Sequence, residues 1–224
     1  MSATYDEVLT RLKEQRCDLS MSQNEMARIV HMTQSNYSKV ELSLRRLNFN
    51  ELKYLCESPI DVYYIFTGFR SDNKYMDFIY NSSYWELSRY IGIIYEIVDF
   101  NNKNDATGKW KKILKRMSCV PLIRGIQNSQ NVFLELRHFM NLQQKKMAEK
   151  LGIDIKKFRD LEKGRNLPDS ELIWRLYDSC YVSPTILLED RKCMASEIAT
   201  ILDMIETEYQ EKIIEIFTKI QMQK

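Results

Sequence analysis

Residues 22–41, "SQNEMARIVHMTQSNYSKVE", hold two short helix patterns separated by a break. Ser22 and Glu25 have the capping-box spacing, in which a hydroxyl and a carboxylate each accept from an otherwise orphaned backbone amide. Met26, Ile29 and Val30 then form one apolar stripe. The pattern breaks at His31-Met32, and Thr33 caps a second segment that turns Tyr37 and Val40 inward. The outward residues of this second segment are Gln34, Ser35, Asn36 and Ser38, followed by Lys39. A face serving only solubility would favour Glu, Lys and Ala, which form helix more readily. Short amides and hydroxyls can donate and accept together, which is what reading base edges in a major groove requires.

A related stretch, "QQKKMAEKLGIDIKKFRDLEKG", occupies residues 143–164. An offset of 121 positions aligns Arg16 with Arg137, Gln23 with Gln144, Met26-Ala27 with Met147-Ala148, and Tyr37 with Phe158. It also pairs Val40-Glu41 with Leu161-Glu162, Leu52 with Ile173, and Leu55 with Leu176, without a gap. In the second copy the break is "LGID": Gly152 supplies the positive φ and Asp154 the cap. One residue further on, Leu87, Ile91, Ile94, Tyr95 and Val98 align with Tyr209, Ile213, Ile216, Phe217 and Ile220, both on one helix face. The chain therefore reads as a duplication. Each unit is a small helical domain followed by an amphipathic helix.

Composition agrees. The chain has 224 residues, room for two small cores, and its six Gly and four Pro are too few for a sandwich or barrel. An all-α fold is expected. No apolar run reaches the ~18 residues of a membrane span, and "MSATYDEVLTRLKEQ" lacks the apolar core of a signal peptide, so a cytoplasmic protein is expected. The five cysteines (Cys17, Cys56, Cys119, Cys180 and Cys193) are scattered without a C-x-x-C pair and read as reduced thiols. With only His31 and His138 besides, neither metal nor cofactor is expected. No nucleophile–base pair, phosphate-cradling glycine loop or carboxylate pair points to an enzyme. The charge is unevenly spread: residues 71–130 carry nine Lys/Arg against six Asp/Glu, and residues 192–224 four against six.

The stretch at 22–41, together with "SPIDVYYIFTG" (58–68) and "LEKGRNLPDSELIWRLYD" (161–178), resembles the helix-turn-helix domains of Cro/C1-type repressors, the xenobiotic-response-element family. The resemblance covers Tyr5 to about Gly68 and Asn131 to about Leu188. It implies two lambda-repressor-like five-helix domains whose third helices enter the major groove. It implies that Gln23 holds a phosphate and braces the reading residues, and that Thr33, Gln34, Ser35, Asn36, Ser38 and Lys39 face bases or flanking phosphates. Gln34 is the candidate for a bidentate adenine contact. Arg45 and Arg46 would hold phosphates, while Arg16–Glu41 and Arg137–Glu162 would be internal ion pairs. His31 departs from the glycine usual at its position, so that turn must accept a side chain.

In the second unit Gln144, Lys156, Lys157, Arg159, Lys163 and Arg165 are the candidate DNA contacts. Asp160 would bring a carboxylate toward the backbone, and Ile155 would meet a thymine methyl or a protein surface. The resulting division is a helix-turn-helix domain at 1–70 and a helical connector at 71–130 with a flexible polar linker near 101–109. A second helix-turn-helix domain at 131–191 and a C-terminal helical segment at 192–224 complete it. In the connector, Trp110, Ile113, Leu114 and Met117 make one helix face, with Lys111, Lys112, Lys115 and Arg116 around the other side. The apolar faces of the added helices, 84–98 and 194–220, must be covered by the other unit or by a second chain, and a homodimer is expected. The reading is a sequence-specific transcriptional regulator bound to double-stranded DNA. The competing one is a protein-interaction module, antirepressor- or antitoxin-like, whose recognition faces grip protein.

Overall fold

In the computed structural model, which describes residues 4–121 and 131–222, every regular element among the described residues is a helix. The first unit runs α1 (Tyr5–Asp18), α2 (Gln23–Ile29), α3 (Gln34–Glu41), α4 (Phe49–Glu57) and α5 (Val62–Thr67). Then follow α6 (Met76–Tyr80), α7 (Tyr84–Asn102) and α8 (Lys109–Arg116). The second unit runs α9 (Val132–Phe139), α10 (Gln144–Leu151), α11 (Ile155–Glu162), α12 (Ser170–Cys180) and α13 (Pro184–Leu188), and α14 (Arg191–Met204) and α15 (Thr207–Gln221) end the fold. The connector residues 122–130 lie outside the described residues.

Local chemistry places these boundaries. Ser22 and Glu25 form the capping box of α2, and Asn48–Glu51 and Ser83–Glu86 do the same for α4 and α7. The Thr33 hydroxyl accepts from the Asn36 amide, and Asp154 caps α11. Left-handed residues close many of the helices, and four pairs repeat at the sequence offset: Ser20 and Asn141, His31 and Gly152, Ser43 and Gly164, Gly68 and Glu189, all with φ between 46° and 73°. Tyr181, which closes α12 at φ 56°, has no left-handed counterpart after α4. His31 does take the strained turn, at φ +54°, with its ring packed 4.2 Å from that of Tyr54. Helices α3 and α11 span equivalent residues, as do the starts of α2 and α10 and of α4 and α12. The duplication is thus one of backbone conformation as well as of residue type.

Two cores result. One joins both units and includes Leu12, Met26, Tyr37, Val40, Leu47 and Leu55 with Leu136, Met147, Phe158, Leu161 and Leu176. The other gathers α6, α7, α8, α14 and α15. The apolar faces expected to need the other unit or a second chain cover each other: Tyr90 stacks on Phe217 with ring centroids 3.8 Å apart and 11° between planes. Burying each such side chain contributes about 1.5–3 kcal/mol. The C-terminal segment is two helices, broken where Ile205 turns extended, rather than one. The polar stretch near 101–109, expected as a flexible linker, is the end of α7, a turn and the start of α8. There Asp105 accepts from the backbone amides of Thr107, Gly108 and Lys111. Trp110, Ile113, Leu114 and Met117 face the second core as expected. Arg116 departs from its predicted outward side: its guanidinium lies 3.7 Å over the Phe69 ring and donates to Met204 Sδ.

Candidate nucleic-acid interface

Helix α3 exposes its first turn because Tyr37 and Val40 anchor the opposite face with no exposed surface. Behind that turn runs a relay of hydrogen bonds. Arg16 Nε donates to Glu41 Oε1 at 2.6 Å, and its Nη1 to the Met21 carbonyl at 2.7 Å. Gln23 Nε2 donates to Glu41 Oε2 at 2.8 Å, and Gln34 Nε2 to Gln23 Oε1 at 2.8 Å. A carboxylate only accepts, so Glu41 fixes which end of the Gln23 amide faces it, and Gln23 then fixes the Gln34 amide. Gln34 keeps one N–H and its carbonyl free, which is the donor–acceptor pair an adenine edge takes. Burial pushes the Glu41 carboxyl up, but the hydrogen bonds from Arg16 and Gln23 and the Arg16 charge outweigh it and hold the group below its ordinary value. Burial and the Glu41 charge push the Tyr37 hydroxyl upward.

The second unit rebuilds the relay from equivalent residues. Arg137 donates to Glu162 Oε1 and to the Leu142 carbonyl, and Gln144 Nε2 donates to Glu162 Oε2. Gln144 Oε1 then accepts from Arg159 Nε at 3.2 Å. This relay ends on an exposed guanidinium, whose remaining N–H groups suit phosphate or guanine. The residue in the Gln34 position, Ile155, packs half-buried against the core instead of standing free.

The other predicted contacts divide. Thr33, Ser35 and Lys39 are exposed on α3 and its cap, with Asn36 and Ser38 half-buried. Lys156 and Lys163 are exposed on and after α11. Lys157 is half-buried with Nζ 3.4 Å from Asp169, and Arg165 lies 3.6 Å from Asp160, so a neighbouring cation answers that carboxylate. Arg45 turns inward, both of its Nη atoms meeting Glu51. Arg46 pairs with Glu171 of the second unit. Comparison with known proteins adds nothing here. No protein-family model, curated protein or solved structure matches the chain.

The resemblance implied the ion pairs Arg16–Glu41 and Arg137–Glu162 and the bracing by Gln23, but not that the second relay ends on Arg159. A further cluster was missed: one ligating atom each from Cys56, Asp190 and Cys193 lies within 4.8 Å of the others. The hydrogen bond with Cys56, together with burial, pushes the Cys193 thiol well up at this point, where α4 meets α14.

Proposed function

We propose that this chain is a Cro/C1-type regulator of transcription that binds double-stranded DNA through the exposed faces of α3 and α11. The observation that carries the reading is the Arg–Glu–Gln relay built twice on equivalent residues, which ends on an exposed donor of the third helix in each copy: Gln34 at the start of α3 and Arg159 in the last turn of α11. Two lambda-repressor-like five-helix domains agree with the helix order of α1–α5 and α9–α13 and with the four left-handed positions they share. Lysines and arginines around α11 supply affinity through phosphate, and the amide and hydroxyl cluster of α3 supplies the choice of sequence. Exposed Leu42 and Leu44, directly after α3, favour the competing reading of a protein-gripping face.

Salt separates the two. A duplex complex weakens by orders of magnitude between about 50 and 200 mM salt, because neutralised phosphates release counterions. An apolar protein contact does not. Duplex binding measured by fluorescence anisotropy across that range supports the reading if the logarithmic slope is steep. Absence of binding at low salt overturns it.

A further inference from the structure

We infer that the two units form a pseudo-dimer within one chain, so that one molecule reads one duplex segment made of two unlike half-sites. This rests on the DNA-binding reading above and goes beyond it in stoichiometry and in the kind of site recognised.

The contact between the units runs backwards in one relative to the other. Arg46 pairs with Glu171. The Leu47 amide donates to Ser170 Oγ at 3.1 Å, and the Ser170 amide donates to the Leu47 carbonyl at 2.9 Å. Phe49 and Pro168 line a common cavity. Each step forward in 46–49 is a step back in 171–168, and the pivot is Asn48 opposite Asp169. Those two residues are equivalent in the duplication and cap equivalent helices, α4 and α12. Equivalent helices α5 and α13 also touch. Residue i meeting j while the equivalent of j meets that of i is the signature of a two-fold interface. Here both patches belong to one chain, Leu47 is buried at the contact, and a single core runs through it.

A two-fold axis carries any point to one at the same level along the axis. The starts of α3 and α11 therefore share a level, as required to meet successive major grooves on one face of a duplex, about 34 Å apart. The two ends are chemically unlike. The start of α3 offers Gln34, Ser35 and Asn36, while α11 offers Lys156 in its first turn, Arg159 in its last and Lys163 just after it. Sequence information therefore concentrates in the α3 half-site, and the α11 half-site is held mostly by charge.

The test uses the full chain and duplexes selected from a random pool, with stoichiometry read by native mass spectrometry. The expected result is one chain per duplex, with base preference concentrated in one half of a protected segment spanning two successive major grooves. Inserting about half a helical turn of DNA between the halves moves the second groove to the far side. Affinity should then fall by about 10²-fold or more, because the second contact is lost. Two chains per duplex, a palindromic preference, or indifference to the insertion overturns the pseudo-dimer while leaving DNA binding standing. Failure to bind any duplex at low salt overturns both.

Discussion

Gln34 donates from Nε2 to Oε1 of Gln23, 2.8 Å away, although the two side chains belong to different helices. The bond orients an exposed amide by way of a half-buried one, which Glu41 in turn holds. A base-reading side chain set beforehand loses less conformational freedom on binding than a free one.

Replacing Gln34 with Ala should erase preference at one base-pair position, about 1–3 kcal/mol of discrimination, with little change in salt slope. Gln23→Ala should blunt the same position without touching a base. Because both act through one bond, the double variant should lose less than the two single losses combined. Selection from a random pool with each variant measures this. Additive losses, or loss at two different positions, would show that the amides act separately.

Lys163 and Arg45 look alike in sequence as cations after a recognition helix, but the structure separates them. Lys163 stands exposed, so Lys163→Ala should reduce the logarithmic salt slope by about 0.9 and weaken all duplexes equally. Arg45 meets buried Glu51, so Arg45→Ala should leave the slope unchanged and lower stability by about 1–3 kcal/mol. Salt titration and chemical denaturation of both variants give the comparison. A slope change in Arg45→Ala would return that residue to the proposed DNA contacts.

Local signals were the legible ones. The capping box at Ser22, the cap at Thr33 and the left-handed Gly152 depend on residues within four positions of one another. Arg46 was not legible, because its partner Glu171 lies 125 positions away and nothing in spacing announces it. The same holds for Tyr90 on Phe217, where amphipathicity announced a face needing cover but not the cover. In α14 every residue from Cys193 to Leu202 is buried, so no single stripe marked its neighbours. On α3, residue type marked which side chains were polar and outward, and the resemblance implied bracing by Gln23, while the bond that orients Gln34 in particular emerged only with the structure.

Gly152 ends α10 at φ +62°, and a Cβ there would stand 2.5 Å from Arg175 Nη1. That guanidinium accepts no crowding without loss, since it donates to the carbonyls of Leu151 and Gly152. Gly152→Ala should therefore destabilise by about 1–2 kcal/mol from the left-handed backbone alone, and by more if Arg175 leaves its carbonyls. His31→Ala, at the equivalent turn, already has a Cβ and should lose only the ring contact with Tyr54, about 0.5–1.5 kcal/mol. Thermal unfolding of the two variants side by side would contradict this if Gly152→Ala proved neutral.

Glu41 contributes to the acid sensitivity of the first unit. Its carboxyl is held below the ordinary 4.5 despite burial, by the bonds from Arg16 and Gln23 and the Arg16 charge. A depressed folded value means that the unfolded chain takes up the proton first as pH falls. The stabilisation is thus present in full above about pH 4.5 and lost as pH drops through the lower folded value. Glu197 and Asp61 run the other way: burial raises both, so protonation relieves a cost and partly offsets the loss. The Glu41 share is isolated by comparison with Glu41→Gln, which keeps the shape and removes the charge. That variant should have a lower Tm at pH 7, converging on the wild type as pH falls through the lowered folded value. Parallel curves across pH 7 to 3 would mean that the Arg16–Glu41 charge pair contributes nothing to the fold.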